Sequence, residues 1–477
     1  MRVTAIDRYE IDPGTVTEWT LAAPERLRRS SVPPSYNQRF HLDTARTQGV
    51  GRSVWMAGSF DVPGQPDPDT LRRTFDTFIR RHDALWTGFD VHPDRIERHI
   101  VSPDALGLER SAPREFTDTT ALRNHLRDRF TRVCDPLTFP AFLFATVERD
   151  TRTTIIAAFD HTIVDGYSLA IAVRELSTIH EILAFDPEAT AAEVDALLGP
   201  AGSFMAFCET EHQAGREATV TTGDPRVRAW AKFYDDCGGT APSFPLDLGV
   251  EAGRPVAQAS DVQTVLGGAE SDRFEEHCLR AGGTMFTGIL AALAMALRLE
   301  GGPDRLPLQF PLHTRRDPRW ENAVGWLTTS APLTVPITEG DFATTLVDTH
   351  AAFRSALTLG GLSMGQIHAG VGERYRRTRT DLFMASYIDY RRLAGSERHG
   401  ELNAHHISNV TVCDDAQFWV SRTGGGLSLR SRFPNTATGH TTIGRFVARL
   451  SAVLGAVAQQ GIAAPARPSV AVRVREA

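Results

Sequence analysis

Cysteine is scarce: five in 477 residues, at positions 134, 208, 237, 278 and 413, with no Cys-x-x-Cys pair among them. That scatter disfavours a thiolate zinc site or a disulfide framework and predicts reduced, mostly core thiols in a cytoplasmic protein. The first ten residues lack the uninterrupted apolar core of a signal peptide, so secretion is not expected. Long apolar runs are missing too. The most apolar helical pattern, Met285 to Leu299, is shorter than the ~20 residues that cross a bilayer and is followed by Glu300-Gly301-Gly302, so no transmembrane segment is expected. Nor is there an excess of positive charge. A formal net charge of −7 and a pI near 6.2 argue against a general nucleic-acid or anionic-membrane binder.

A chain of this length exceeds one ordinary core, and strands alternating with helices twice over predict two α/β layers, each a sheet with helices packed on it. The first half, 1–185, is expected to hold a strand from Val3 to Tyr9, another from Val54 to Val62, and a helix capped by Asp67 with Pro68 in its first turn. Leu71, Phe75, Phe78 and Ile79 mark that helix's buried face, and its arginine pairs, including Arg80-Arg81, read as a solvated surface. A further helix runs through Leu122, Leu126 and Phe130. An Ala-, Glu- and Asp-rich stretch, 186–200, reads as the join. The second half, 201–462, carries strands expected near Val262 to Leu266, Leu306 to Leu312, Gly325 to Val335, Met384 to Tyr390, Ile407 to Cys413, Phe418 to Arg422 and Leu427 to Phe433. A loosely held tail, 463–477, follows.

The stretch Phe159-Asp160-His161-Thr162-Ile163-Val164-Asp165-Gly166 joins an apolar, β-branched strand pattern to a helix marked by Leu169, Val173, Leu176 and Leu183. Ser168 is placed to cap that helix, and Gly166 can take backbone angles that a larger residue resists. A histidine in a loop held at both ends is a candidate general base, because its ordinary pKa of about 6.5 leaves it mostly neutral at pH 7. Asp165 could orient its ring, ligate a metal beside it, or fix the loop through an arginine. Spacing alone does not choose among these.

The run His161-Thr-Ile-Val-Asp165-Gly166 resembles the His-x-x-x-Asp-Gly signature of the chloramphenicol-acetyltransferase-like superfamily, with nonribosomal-peptide condensation domains and polyketide-associated acyltransferases most alike. Three further stretches resemble the same family in the same order: Arg81-His82-Asp83-Ala84-Leu85-Trp86-Thr87, Val324-Gly325-Trp326 leading to Ala331-Pro332-Leu333, and Ser386-Tyr387-Ile388-Asp389-Tyr390-Arg391. Members usually carry two adjacent histidines; here Asp160 stands in the first place and the catalytic second is His161. The resemblance implies two acetyltransferase-like halves forming a V-shaped pseudo-dimer with a tunnel between them. It also implies His161 as general base, Asp165 held by Arg315 with Arg316 as a near alternative, and a Gly166 backbone N–H that helps an oxyanion. Asp160, Trp326, Tyr387 and Asp389 are its candidates for the tunnel wall.

Other constellations in the sequence compete with this one. Gly361-Leu362-Ser363-Met364-Gly365 matches a serine-hydrolase elbow, which requires a preceding strand, whereas the pattern before it is helical. His405 and His406 are expected on opposite faces of a strand, so they do not easily share one metal ion, and no metal is expected. The spacing of Asp160, Asp165 and Ser168 resembles the signature of heterocyclisation domains. The expectation is therefore a free-standing condensation-type acyltransferase that moves an acyl group from a thioester to a hydroxyl or amine, in natural-product or lipid biosynthesis. Acyl-coenzyme A or a phosphopantetheinyl carrier protein would be the donor, with no resident cofactor and a monomeric chain. The alternatives are a heterocyclisation enzyme and a catalytically silent protein that docks a carrier.

Overall fold

The computed structural model describes residues 1–22, 27–48, 54–217, 221–338 and 341–462. The tail expected at 463–477 lies outside the described residues. Strands β1 (Arg2–Ala5), β2 (Gly14–Leu21), β3 (Arg28–Arg29), β4 (Trp55–Pro63), β5 (Thr87–Val91), β6 (Ile96–Ile100), β7 (Leu108–Arg110), β8 (Arg114–Phe116), β9 (Phe142–Glu148) and β10 (Arg152–Asp160) interleave with helices α1 (Tyr36–Gln48), α2 (Pro68–Arg81) and α3 (Thr119–Val133). Helices α4 (Gly166–Phe185), α5 (Ala191–Leu198), α6 (Phe204–Glu217) and α7 (Pro225–Asp236) come next. Then follow β11 (Val256–Gly267), α8 (Gly268–Arg280), α9 (Met285–Leu299), β12 (Arg305–His313), β13 (Thr328–Pro336), α10 (Phe342–Leu357), α11 (Met364–Val371), β14 (Met384–Asp389), β15 (His405–Ser408), β16 (Val412–Cys413), β17 (Gln417–Thr423), β18 (Gly426–Pro434) and α12 (Ala437–Gln460).

Among the described residues, eight strands form one sheet and seven another, each backed by helices, as the alternation predicts. In the first sheet, β10 lies between β4 and β9, and every residue from Thr153 to Asp160 is buried. Both faces are covered. Phe159 and Ala157 join the core beneath α2 and α4, while Ala158 and Ile156 join the one beneath α3. This is why β10 reads as a continuous apolar run instead of an alternating one. Helix α4 packs tightly on β4 because Gly58 offers no side chain: a Cβ there would sit 3.0 Å from Val173 Cγ2.

The second sheet carries its core on the side of α8, α9, α10 and α12. Helix α12 has the length and mean hydropathy to cross a membrane, a property the expectation attached to no segment. Its Ile443, Phe446, Val447, Leu450 and Leu454 are nevertheless buried in this core.

Several expectations need correction. The strand expected from Val3 to Tyr9 stops at Ala5 and turns through a short 3₁₀ segment, Ile6–Arg8; β2 was not foreseen. The single strand expected from Ile407 to Cys413 is two. β15 pairs with β1 and β4 in the first sheet, while β16 pairs with β11 in the second. A segment of the second half thus completes the sheet of the first.

The boundary placed at 186–200 does not separate the cores either. Within it, Val194 and Leu198 of α5 are buried in the first core, as are Phe204, Phe207 and Cys208 of α6 beyond it. The solvated face assigned to Arg81 is also wrong. Its side chain is 6% exposed and binds Glu175 from α4 at 2.9 Å. The reading of Ser363 stands: no strand precedes it, since it follows helix α10 and a 3₁₀ turn, Thr358–Gly361, and caps α11 through the Gln366 N–H, so it sits on no nucleophile elbow.

Candidate active site

His161 lies one residue past β10, in the loop that enters α4. Its Nδ1 is 2.8 Å from the carbonyl oxygen of Val164. A carbonyl only accepts, so Nδ1 carries the proton and the neutral ring keeps its lone pair on Nε2. The ring stacks on Trp326, with centroids 3.8 Å apart and planes 21° from parallel. The Trp326 indole N–H donates to Thr328 Oγ1 at 2.7 Å, which fixes the stacking surface. Burial lowers the pKa of His161 below its ordinary 6.5, His41 lowers it further, and the Val164 carbonyl only partly offsets both.

Asp165 is the N-cap of α4 and accepts the Ser168 N–H at 2.8 Å. The capping role expected of Ser168 therefore belongs to Asp165. Arg315 donates to its carboxylate through two terminal nitrogens, at 2.7 and 2.9 Å, and Leu327 N–H donates at 3.1 Å. Burial would raise this carboxyl, but Arg315 and Ser168 outweigh it and hold it below the usual range. Ser168 Oγ extends the network to the backbone of Gly325. The His161 loop of the first half is thus fastened to Arg315, Gly325 and Leu327 of the second.

Gly166 does not occupy a left-handed backbone region; its lack of a side chain serves proximity. A Cβ there would lie 3.3 Å from Ile388 Cδ1 and 3.6 Å from His406 Cε1. One of the remaining family-like stretches, Arg81 to Thr87, acts as a support. His82 and Arg81 bind the buried Glu175, whose carboxyl they hold at about 2 against the opposing effect of burial. Asp83 accepts the Phe204 N–H at 2.9 Å and so anchors the start of α6.

Between the halves lies a cavity of about 1070 Å³. His161, Trp326, Tyr387 and Asp389 line it, Tyr387 by stacking on Phe286 and Asp389 while paired with Arg391. Asp160 does not. Its carboxylate is fully buried, accepts the Thr162 N–H at 2.8 Å, and lies 3.2 Å from Nε2 of His41. The tunnel-wall role expected of Asp160 passes to His41, which does line the cavity.

Sequence reasoning missed His41, since it lies in a polar helix about 120 residues before the motif with no pattern around it. It likewise weighed His406 only as a metal ligand and set it aside. His406 also lines the cavity and pairs through Nδ1 with the Tyr390 hydroxyl at 2.9 Å, and burial with Arg430 and His161 nearby lowers its pKa to about 3. His405 is bound to the Asn403 carbonyl oxygen, and among the described residues no group of three ligating side chains could hold a metal.

This fold of two helix-backed sheets has counterparts. The condensation-domain family model matches residues 38–468, so the chain belongs to that family. It is 25% identical to acyltransferase PapA3 of Mycobacterium tuberculosis over 97% of this chain and 98% of the relative. It is 28% identical to trehalose-2-sulfate acyltransferase PapA2 of the same organism over 71% and 72%. A solved PapA2 acyl transferase superposes with a TM-score of 0.85 at 23% identity, covering 96% of this chain and all of that one. The first condensation domain of the calcium-dependent antibiotic synthetase gives 0.67 at 15% over 93% and 98%. Within its family, the chain is a condensation-type acyltransferase.

Proposed function

We propose that His161 is the general base that deprotonates an acceptor hydroxyl or amine as it attacks the carbonyl carbon of an acyl thioester in the shared cavity. The observation that carries this is the Nδ1 contact to Val164, which leaves Nε2 free to accept a proton on a ring held by Trp326. The new C–O or C–N bond forms as the C–S bond breaks. The proton taken by His161 then passes to the departing thiolate, and no acyl-enzyme is needed. Holding both substrates together supplies the entropic advantage, and proton transfer adds typically ~10²–10⁴-fold. The N-terminus of α4 at Gly166 brings partial positive charge to the site, suited to the developing oxyanion.

The donor is coenzyme A or a phosphopantetheinyl carrier, and a hydroxyl acceptor giving an ester is favoured by the sugar named for the PapA2 relative. Heterocyclisation is disfavoured, because the Asp160 carboxylate is engaged by Thr162 and His41 and does not line the cavity. The retained base argues against a silent docking protein. The test is a panel of acyl-coenzyme A and acyl-carrier thioesters offered with sugars, alcohols and amines, followed by intact mass spectrometry. A mass gain equal to acyl addition that disappears in His161→Ala supports the reading. Products lacking one further water would replace it with heterocyclisation.

A further inference from the structure

Arg430 and Arg432 both line the cavity from β18, on the same face of that strand. Their surroundings differ. Arg432 is paired with Asp381 at 3.1 Å and also donates to Gln417 Oε1 and the Val412 carbonyl. Arg430 has no carboxylate within ion-pairing distance among the described residues. Its guanidinium lies over the ring of Trp419, its direct cross-strand neighbour, at 4.0 Å from the centroid. One terminal nitrogen donates to Ser408 Oγ, and its Nε is buried with no hydrogen-bond partner among the described residues. A buried guanidinium without a counter-charge is costly, and here burial and Arg432 together lower its pKa to about 10.

We propose that Arg430 is an anion-binding residue that recognises an oxyanion, a carboxylate, sulfate or phosphate monoester, on the acceptor. The position selects the acceptor. Ser408 and His406 share one face of β15, two residues and roughly 7 Å apart, and His406 borders Gly166. An anion on Arg430 therefore sits about one small ring away from the base loop. The pantetheine arm keeps the phosphates of coenzyme A or of a carrier well beyond that reach. Trp419 and Ser408 fix the guanidinium plane, leaving its remaining N–H groups to form a charge-assisted pair.

This inference rests on the acyl-transfer reading, but its test does not require turnover. The probe is inorganic sulfate, titrated against chloride at constant ionic strength and followed by tryptophan fluorescence. The expected result is a saturable change with a millimolar midpoint, at least tenfold weaker in Arg430→Gln, diminished in amplitude in Trp419→Phe, and unaltered in His161→Ala. Crystals of the wild-type protein soaked in selenate should show the anion's anomalous peak against Arg430, which needs no variant to fold. No saturation in wild type, an unchanged midpoint in folded Arg430→Gln, or a selenate peak elsewhere overturns the proposal. Sulfate binding without acyl transfer would instead count against the catalytic reading alone.

Discussion

Asp165 and Arg315, 150 residues apart, face each other through two hydrogen bonds of 2.7 and 2.9 Å, and both side chains are almost fully buried. The carboxylate also caps α4, so one residue starts the helix, receives the opposite half of the molecule and anchors the loop that carries His161.

Breaking this pair should destabilise the fold as well as the site. Asp165→Asn or Arg315→Ala each leaves a buried charge unpaired, an effect of about 3–5 kcal/mol. Because Asp165 is held below its ordinary pKa, its stabilisation is present above the usual carboxylate range and lost as pH falls through the depressed value. Urea unfolding of both single variants and the double variant should give a coupling of about 1–3 kcal/mol. Strict additivity would show that the two residues do not act as a pair.

His161→Ala should lower turnover by about 10²–10⁴-fold with little change in melting temperature. Since burial and His41 depress its pKa, the acid limb of the wild-type kcat/KM profile should fall below pH 6.5, with activity retained at mildly acidic pH. An acid limb above 6.5 would assign the limb to another group.

His41 carries a distinct signature. Its charge, when present, disfavours protonation of His161, so His41→Gln should move the acid limb upward. The rate loss should be smaller than that of His161→Ala, about tenfold. Asp160→Asn, which removes the charge facing His41 and keeps an oxygen to accept from Thr162, should leave substantial transfer in a folded protein. An inactive yet folded Asp160→Asn would instead give Asp160 a direct chemical role.

A buried acid away from the base makes stability depend on pH. Glu211 accepts the Tyr36 N–H at the start of α1, and burial pushes it up to about 7 from an ordinary 4.5. The folded state therefore binds this proton more tightly than the unfolded state, and stability declines as pH rises from about 4.5 to 7. Glu211→Gln should match wild type near pH 4 and exceed it at pH 8 by on the order of 3 kcal/mol at most. Equal unfolding midpoints at both pH values would place Glu211 at its ordinary pKa.

Sequence alone determined much of this protein because its signals are local. The apolar run of β10, the proline-started α2 and the spacing of α4 each depend on neighbours along the chain, and the four family-like stretches appear in order. The Asp165–Arg315 pair was legible only through that resemblance, since nothing in either segment names the other. Tertiary structure decided the rest. Residues 405–413 are one β-rich run by pattern, yet backbone pairing splits them between two sheets, because β4 and β11 each leave an edge that a different part of the run satisfies. His41 reaches the site because α1 folds over the end of β10, where Asp160 holds its Nε2. Arg430 looks like any strand arginine until the sheet sets it over Trp419, inside the cavity and, among the described residues, without a paired carboxylate. Burial and partnership are properties of packed surfaces, and no spacing along the chain encodes which surfaces will meet.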